Sequence, residues 1–86
     1  MSYRIKKIEF KKYILTYTIS GKSNLKLLTF HGFGQNRNAF ELYHQKLVGF
    51  EIYSFDLIFH GESLGPEKKL IKKDWLTIMS LFFKEE

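Results

Sequence analysis

LKLLTFHGFGQNRNAFELYHQKLVGFEIYSFD, residues 25–56, changes its pattern twice, and those changes decide the fold. Residues 25–30 form a nearly continuous apolar run, the kind covered on both faces in a parallel sheet. The run breaks at His31-Gly32-Phe33-Gly34-Gln35. Ala39, Phe40, Tyr43 and Leu47 then follow at helical spacing. Asn38 with Glu41 three residues on reads as an Asn version of the capping box. Gly49 stops this helix, and residues 50–55 form a further strand ending at Asp56. Two strands joined through a helix are expected to lie parallel with a right-handed crossover.

Upstream, Tyr3, Ile5, Ile8 and Phe10 carry a phase slip across Lys6–Lys7, which predicts a strand with a bulge. Tyr13, Leu15, Tyr17 and Ile19 alternate with Ile14, Thr16, Thr18 and Ser20, so 13–20 reads as a second strand, pairing antiparallel with the first. Residues 21–24 (Gly-Lys-Ser-Asn) are a turn. Downstream, a loop runs from Asp56 through His60, Gly61 and Ser63 to Pro66. Trp75, Ile78, Met79 and Phe82 then share one stripe of a helix spanning 72–85. The order β-β-β-α-β-α makes residues 1–86 one α/β unit built on an open sheet, whose last helix has no following strand.

Composition narrows the function classes. The chain has 14 Lys+Arg against 9 Asp+Glu, a net charge of +5. Its lysines come as doublets at element boundaries (6–7, 11–12, 68–69, 72–73) with acids among them, and arginine occurs only at 4 and 37. A phosphate-tracking surface would gather its cations on one stripe beside stacking aromatics, so no nucleic-acid partner is expected. Without cysteine there is no disulfide framework and no thiolate metal site. The charged start lacks an apolar signal core, and the longest apolar cluster, 75–83, falls far short of the ~20 residues that span a bilayer. A cytoplasmic protein with no membrane span is the expectation.

In open α/β sheets, ligand chemistry collects beyond the carboxyl ends of parallel strands. HGFGQ (31–35) and DLIFHGES (56–63) both fall there. Gly32 and Gly34 allow a sharp turn that brings amides close to a ligand oxygen, and a helix start adds unsatisfied N–H groups. Oxyanion stabilisation in acyl transfer needs such amides. With these residues in view, LLTFHGFGQNRNAF (27–40) and FEIYSFDLIFHGES (50–63) resemble the N-terminal part of the α/β-hydrolase superfamily, in its esterase-like members. The first is similar to the family's strand-His-Gly-x oxyanion segment, the second to its strand-Asp-x-x-Gly-His-Gly-x-Ser signature.

The resemblance implies that the backbone N–H of Phe33 is an oxyanion-hole donor and that His31, Gly32 and Gly34 shape that turn. It implies that Asp56, His60, Gly61 and Ser63 form a second loop that braces the site. Phe59 stands where a glycine usually precedes the His-Gly. The complete protein would hydrolyse an ester, thioester or similar acyl bond of a small-molecule substrate with a serine nucleophile, no cofactor and no metal. The nucleophile elbow, acid and catalytic histidine are not found in this chain, so the chain alone is expected to be inactive. Gly61-x-Ser63-x-Gly65 spells the elbow motif, but Asp56 ends its strand several residues earlier and no histidine follows. In the family's strand order a fifth strand pairs beside the third, which leaves 25–30 here as an apolar edge open to self-association.

Other readings of the same residues stand beside this one. Gly32-x-Gly34 followed by Asp56 fits a Rossmann-like dinucleotide site, with Arg37 standing at the third glycine position. His31, His44 and His60 with Glu41 and Asp56 could be drawn as a metal site, but spacing supplies no matched geometry for one. A catalytically inert interaction module would dock through the open edge or the 72–85 helix.

Overall fold

The computed structural model describes residues 3–31, 36–39, 49–58, 61–65, 70 and 72–86. They form strands β1 (Tyr3–Phe10), β2 (Tyr13–Ser20), β3 (Lys26–Phe30) and β4 (Glu51–Asp56), and helix α1 (Lys72–Glu85). One sheet holds the strands in the order β1-β2-β4-β3. β1 and β4 flank β2 antiparallel, and β3 runs parallel to β4. The helix expected between β3 and β4 lies outside the described residues. Glu41 of the expected capping box lies outside them too; before it, Asn36 Oδ1 accepts the Asn38 N–H at 2.9 Å and Asn36 O accepts the Ala39 N–H at 3.0 Å.

The expected bulge in β1 is absent. Its register with β2 is unbroken from Tyr3↔Ser20 to Phe10↔Tyr13. The apparent phase slip has a simpler cause: Ile8 faces α1 and is 9 % exposed, while Ile5 lies on the other face of the strand at 54 %. The expectation of two covered faces for β3 also fails. None of its residues is buried, whereas every residue of β4 is. An edge strand has a neighbour on one side only, so equally apolar runs end up differently exposed.

The face towards α1 is aromatic and dry. Leu15, Tyr17, Ile19, Tyr53 and Phe55 of the central strands pack with Ile78 and Phe82 of α1, while Trp75 and Met79 border this cluster. Phe82 stands edge-on to three rings, at centroid distances of 5.1 Å from Tyr17, 5.4 Å from Tyr53 and 4.8 Å from Phe55. Such tilted contacts suit the ring quadrupoles and add to the area buried. The opposite face is polar yet buried, with Thr16, Thr18, Ser20, Ser54 and Asp56 among its residues. That face leads to the site.

Two carboxylates tie the ends of the aromatic face. Glu51 is hydrogen-bonded by Lys26 and Tyr53, which hold its carboxyl below the usual range. Burial pushes the Glu86 carboxyl up, but the Lys6 ammonium at 2.8 Å and the Tyr17 hydroxyl at 2.6 Å outweigh it and hold it down. Burial, with the Glu86 contact second, pushes the Tyr17 phenol above its ordinary value. A depressed carboxylate stabilises the fold above its unfolded pKa of about 4.3, and that contribution disappears as pH falls through the folded value. A raised phenol stabilises below its unfolded pKa of about 10 and is lost as pH rises. Urea midpoints measured across pH are therefore expected to be flat between about 5 and 9 and to fall on both sides. Unchanged midpoints at pH 3 would contradict the assignment.

Candidate functional site

β3 and β4 end side by side, with Phe30 opposite Phe55, so the segments that leave them start at the same end of the sheet. His31, the first residue past β3, is 6 % exposed, and its Nε2 accepts the N–H of Leu57, the first residue past β4, at 2.9 Å. A nitrogen that accepts carries no proton, so the ring is held with its proton on Nδ1. The last residue of β4 gathers most of the remaining polar contacts. Asp56 is fully buried, and its carboxylate takes the Arg37 backbone N–H on Oδ1 at 2.5 Å. Oδ2 takes Arg37 Nη1 at 2.5 Å and the Glu62 N–H at 2.8 Å. Arg37 also pairs through Nη2 with Glu62 Oε2 at 2.9 Å.

This pair is poorly screened, since the Arg37 side chain is 14 % exposed and that of Asp56 not at all. Burial pulls the guanidinium pKa down, but the Asp56 bond and the charges of Asp56 and Glu62 outweigh it and raise it. The guanidinium thus stays charged beside a buried carboxylate that takes several donors at once. Gly61 closes the ring at φ 52°, and a Cβ there would fall on the Asp56 carboxylate itself. The loop can wrap the acid this tightly only with glycine at that position.

Ser63 has a different task. Its hydroxyl donates to Asp56 O at 2.5 Å and accepts the Thr16 N–H at 2.8 Å, two groups that face each other across β2 and β4. It is 1 % exposed. Thr16 Oγ1 donates to Glu62 O at 3.0 Å, and Ile14 and Leu64 exchange backbone bonds at 2.9 and 2.8 Å. The loop after β4 is thus stitched back onto β2 just past the point where β4 ends.

Of the site residues expected from sequence, His31, Asp56, Gly61 and Ser63 are brought together here, while Gly32, Phe33, Gly34 and His60 lie outside the described residues. Glu41 and His44 of the metal alternative lie outside them too. Arg37 and Thr16 were missed as site residues. Arg37 stands 19 residues from Asp56 and Thr16 47 residues from Ser63, and no local pattern announces either contact.

No protein-family model matches the sequence, and no curated protein matches it either. Among solved structures, a crystal structure described as a predicted CIB-like hydrolase from Thermoplasma acidophilum is similar at 18 % identity and a TM-score of 0.59. The match covers 98 % of this chain and 44 % of that one. The fold is a partial hydrolase-like one. At that identity the likeness concerns the fold alone, and this chain spans less than half the length of the hydrolase it matches. Within this chain the strand order is β1-β2-β4-β3, with the Asp56 loop beyond β4. No helix among the described residues is long and apolar enough to cross a membrane.

Proposed function

We propose that this chain is the oxyanion-side portion of a serine-type acyl hydrolase whose complete form cleaves an ester, thioester or similar bond of a small molecule with water. The observation that carries the reading is the bracing of both flanks of the 32–35 segment on the end of β4. On one side His31 is held by the Leu57 amide, and on the other Arg37 is held through its backbone and its guanidinium by Asp56. Amides that stabilise a developing oxyanion must be fixed before the charge appears. In this reading the held flanks fix the Phe33 N–H, and Gly32 and Gly34 shape the turn. Asp56, His60, Gly61 and Ser63 act as the brace, and no cofactor or metal takes part.

Ser63 is no nucleophile in this reading. A hydroxyl that is 1 % exposed and engaged by Thr16 and Asp56 has no access to a substrate, and among the described residues no base contacts it. The attacking serine, its base and the acid belong to the portion that this chain does not carry. The purified chain is expected to leave p-nitrophenyl esters uncleaved above background, with Ser63→Ala making no difference to the rate. Hydrolysis by the chain that Ser63→Ala abolishes would overturn the assignment. A reading frame running past the codon for Glu86 into a strand-Gly-x-Ser-x-Gly-helix pattern would supply the missing nucleophile.

A further inference from the structure

We propose that the 86-residue chain forms a symmetric dimer by antiparallel pairing of β3 with β3 of a second copy, about a dyad between the two Leu28 residues. The proposal concerns the 86-residue chain itself and does not rest on the acyl-hydrolase reading, in whose complete form a fifth strand takes this edge. Among the described residues β3 has a strand partner on one side only. Leu25 O accepts the Glu51 N–H at 2.9 Å, so residues 25, 27 and 29 turn their backbone groups towards β4. In a strand the next residues point the opposite way, which directs the N–H and C=O of Lys26, Leu28 and Phe30 to the open side. These three positions are symmetric about Leu28. Antiparallel self-pairing sets Leu28 opposite Leu28 and Lys26 opposite Phe30, and every outward donor then meets an acceptor.

Charge selects the same arrangement. Edge strands commonly use a lysine to repel a second strand. Here the Lys26 ammonium is turned back onto Glu51 and the Tyr53 hydroxyl, and it lies 5.4 Å from the Tyr53 ring centre. Parallel self-pairing would bring the two Lys26 side chains together, while the antiparallel register faces each with a phenylalanine. Leu25 is 62 % and Phe30 42 % exposed, so both ends of the strand offer apolar surface to be covered. The occupant that fits is this chain's own edge.

Three measurements decide the matter. Sedimentation equilibrium of the intact chain at sub-millimolar concentration is expected to give twice the monomer mass. Phe30→Lys, which places a lysine opposite Lys26, is expected to weaken association at least tenfold. With no native cysteine, Leu28→Cys should oxidise to a covalent dimer, since paired Cα atoms about 5.5 Å apart can be bridged. Thr29→Cys, whose like residues would lie roughly 8 Å apart, should oxidise at least tenfold more slowly. In the unmodified protein the amides of Lys26, Leu28 and Phe30 should lose exchange protection on dilution, while those of Leu27 and Thr29 keep theirs. A monomer at every concentration, equal oxidation of the two cysteine variants, or protection that ignores dilution would each overturn the dimer. None of these would bear on the hydrolase reading.

Discussion

Asp56→Ala is expected to destabilise the protein by about 3–5 kcal/mol, because it strips a largely buried cation of its buried partner and leaves it only the exposed Glu62 carboxylate. The carboxylate is fully buried and takes the Arg37 backbone, the Arg37 guanidinium and the Glu62 amide. Its removal leaves a guanidinium that is largely out of water and two N–H groups without acceptors. Unfilled donors in such a place are more harmful than an absent ion pair. Urea denaturation measures the loss, and a domain holds only about 5–15 kcal/mol in total. The double variant Asp56→Ala/Arg37→Met is expected to recover part of the loss, since it deletes the orphaned charge as well. Cleavage by trypsin after Arg37 should be faster in the single variant than in the parent protein. A loss below about 1 kcal/mol, the range of exposed ion pairs, would mean that the pair is solvated and the bracing of the 32–35 segment weak.

Phe82→Ala is the second large effect, with an expected loss of about 3–5 kcal/mol. This ring is 2 % exposed and meets Tyr17, Tyr53 and Phe55 edge-on, so truncation opens a hole between helix and sheet that three rigid aromatics cannot fill. The hydrogen bond from Tyr17 to Glu86, four residues along, depends on the same seating of α1. Leu76→Ala on the outer side of the helix, where Leu76 is 56 % exposed, is the control and should shift stability by no more than about 0.5 kcal/mol. Near-ultraviolet circular dichroism should weaken in Phe82→Ala before the helical signal does. Equal effects of the two substitutions would mean that α1 is not docked through this face.

These two residues mark how far local pattern carries. The alternation in Tyr13–Ser20 and the stripe from Trp75 to Phe82 follow periods of 2 and 3.6, which any window of the chain displays, and both elements form at those bounds. The parallel pairing of β3 with β4 follows from the helical pattern written between them. Periodicity does not say which face of a strand will be covered. Ile5 and Ile8 look alike in sequence, and only the seating of α1 makes one core and the other surface. Nor does it separate β3 from β4, two similar apolar runs of which one is central and the other an edge.

The candidate site divides in the same way. His31, Asp56, Gly61 and Ser63 were singled out by two short motifs, because tight turns after parallel strands demand particular residues locally. Local pattern presents Arg37 only as an obstacle to a glycine position, and Thr16 only as a strand residue. Both gain their place from contacts with groups distant in sequence.

What the sequence by itself determined was the set of elements, their order and the two strand-end motifs, since backbone preference and side-chain period act over a few residues. The tertiary structure alone decided which faces are dry, which strands are central, and that one buried carboxylate binds both loops together. Burial and the pairing of charges depend on what arrives from elsewhere in the chain.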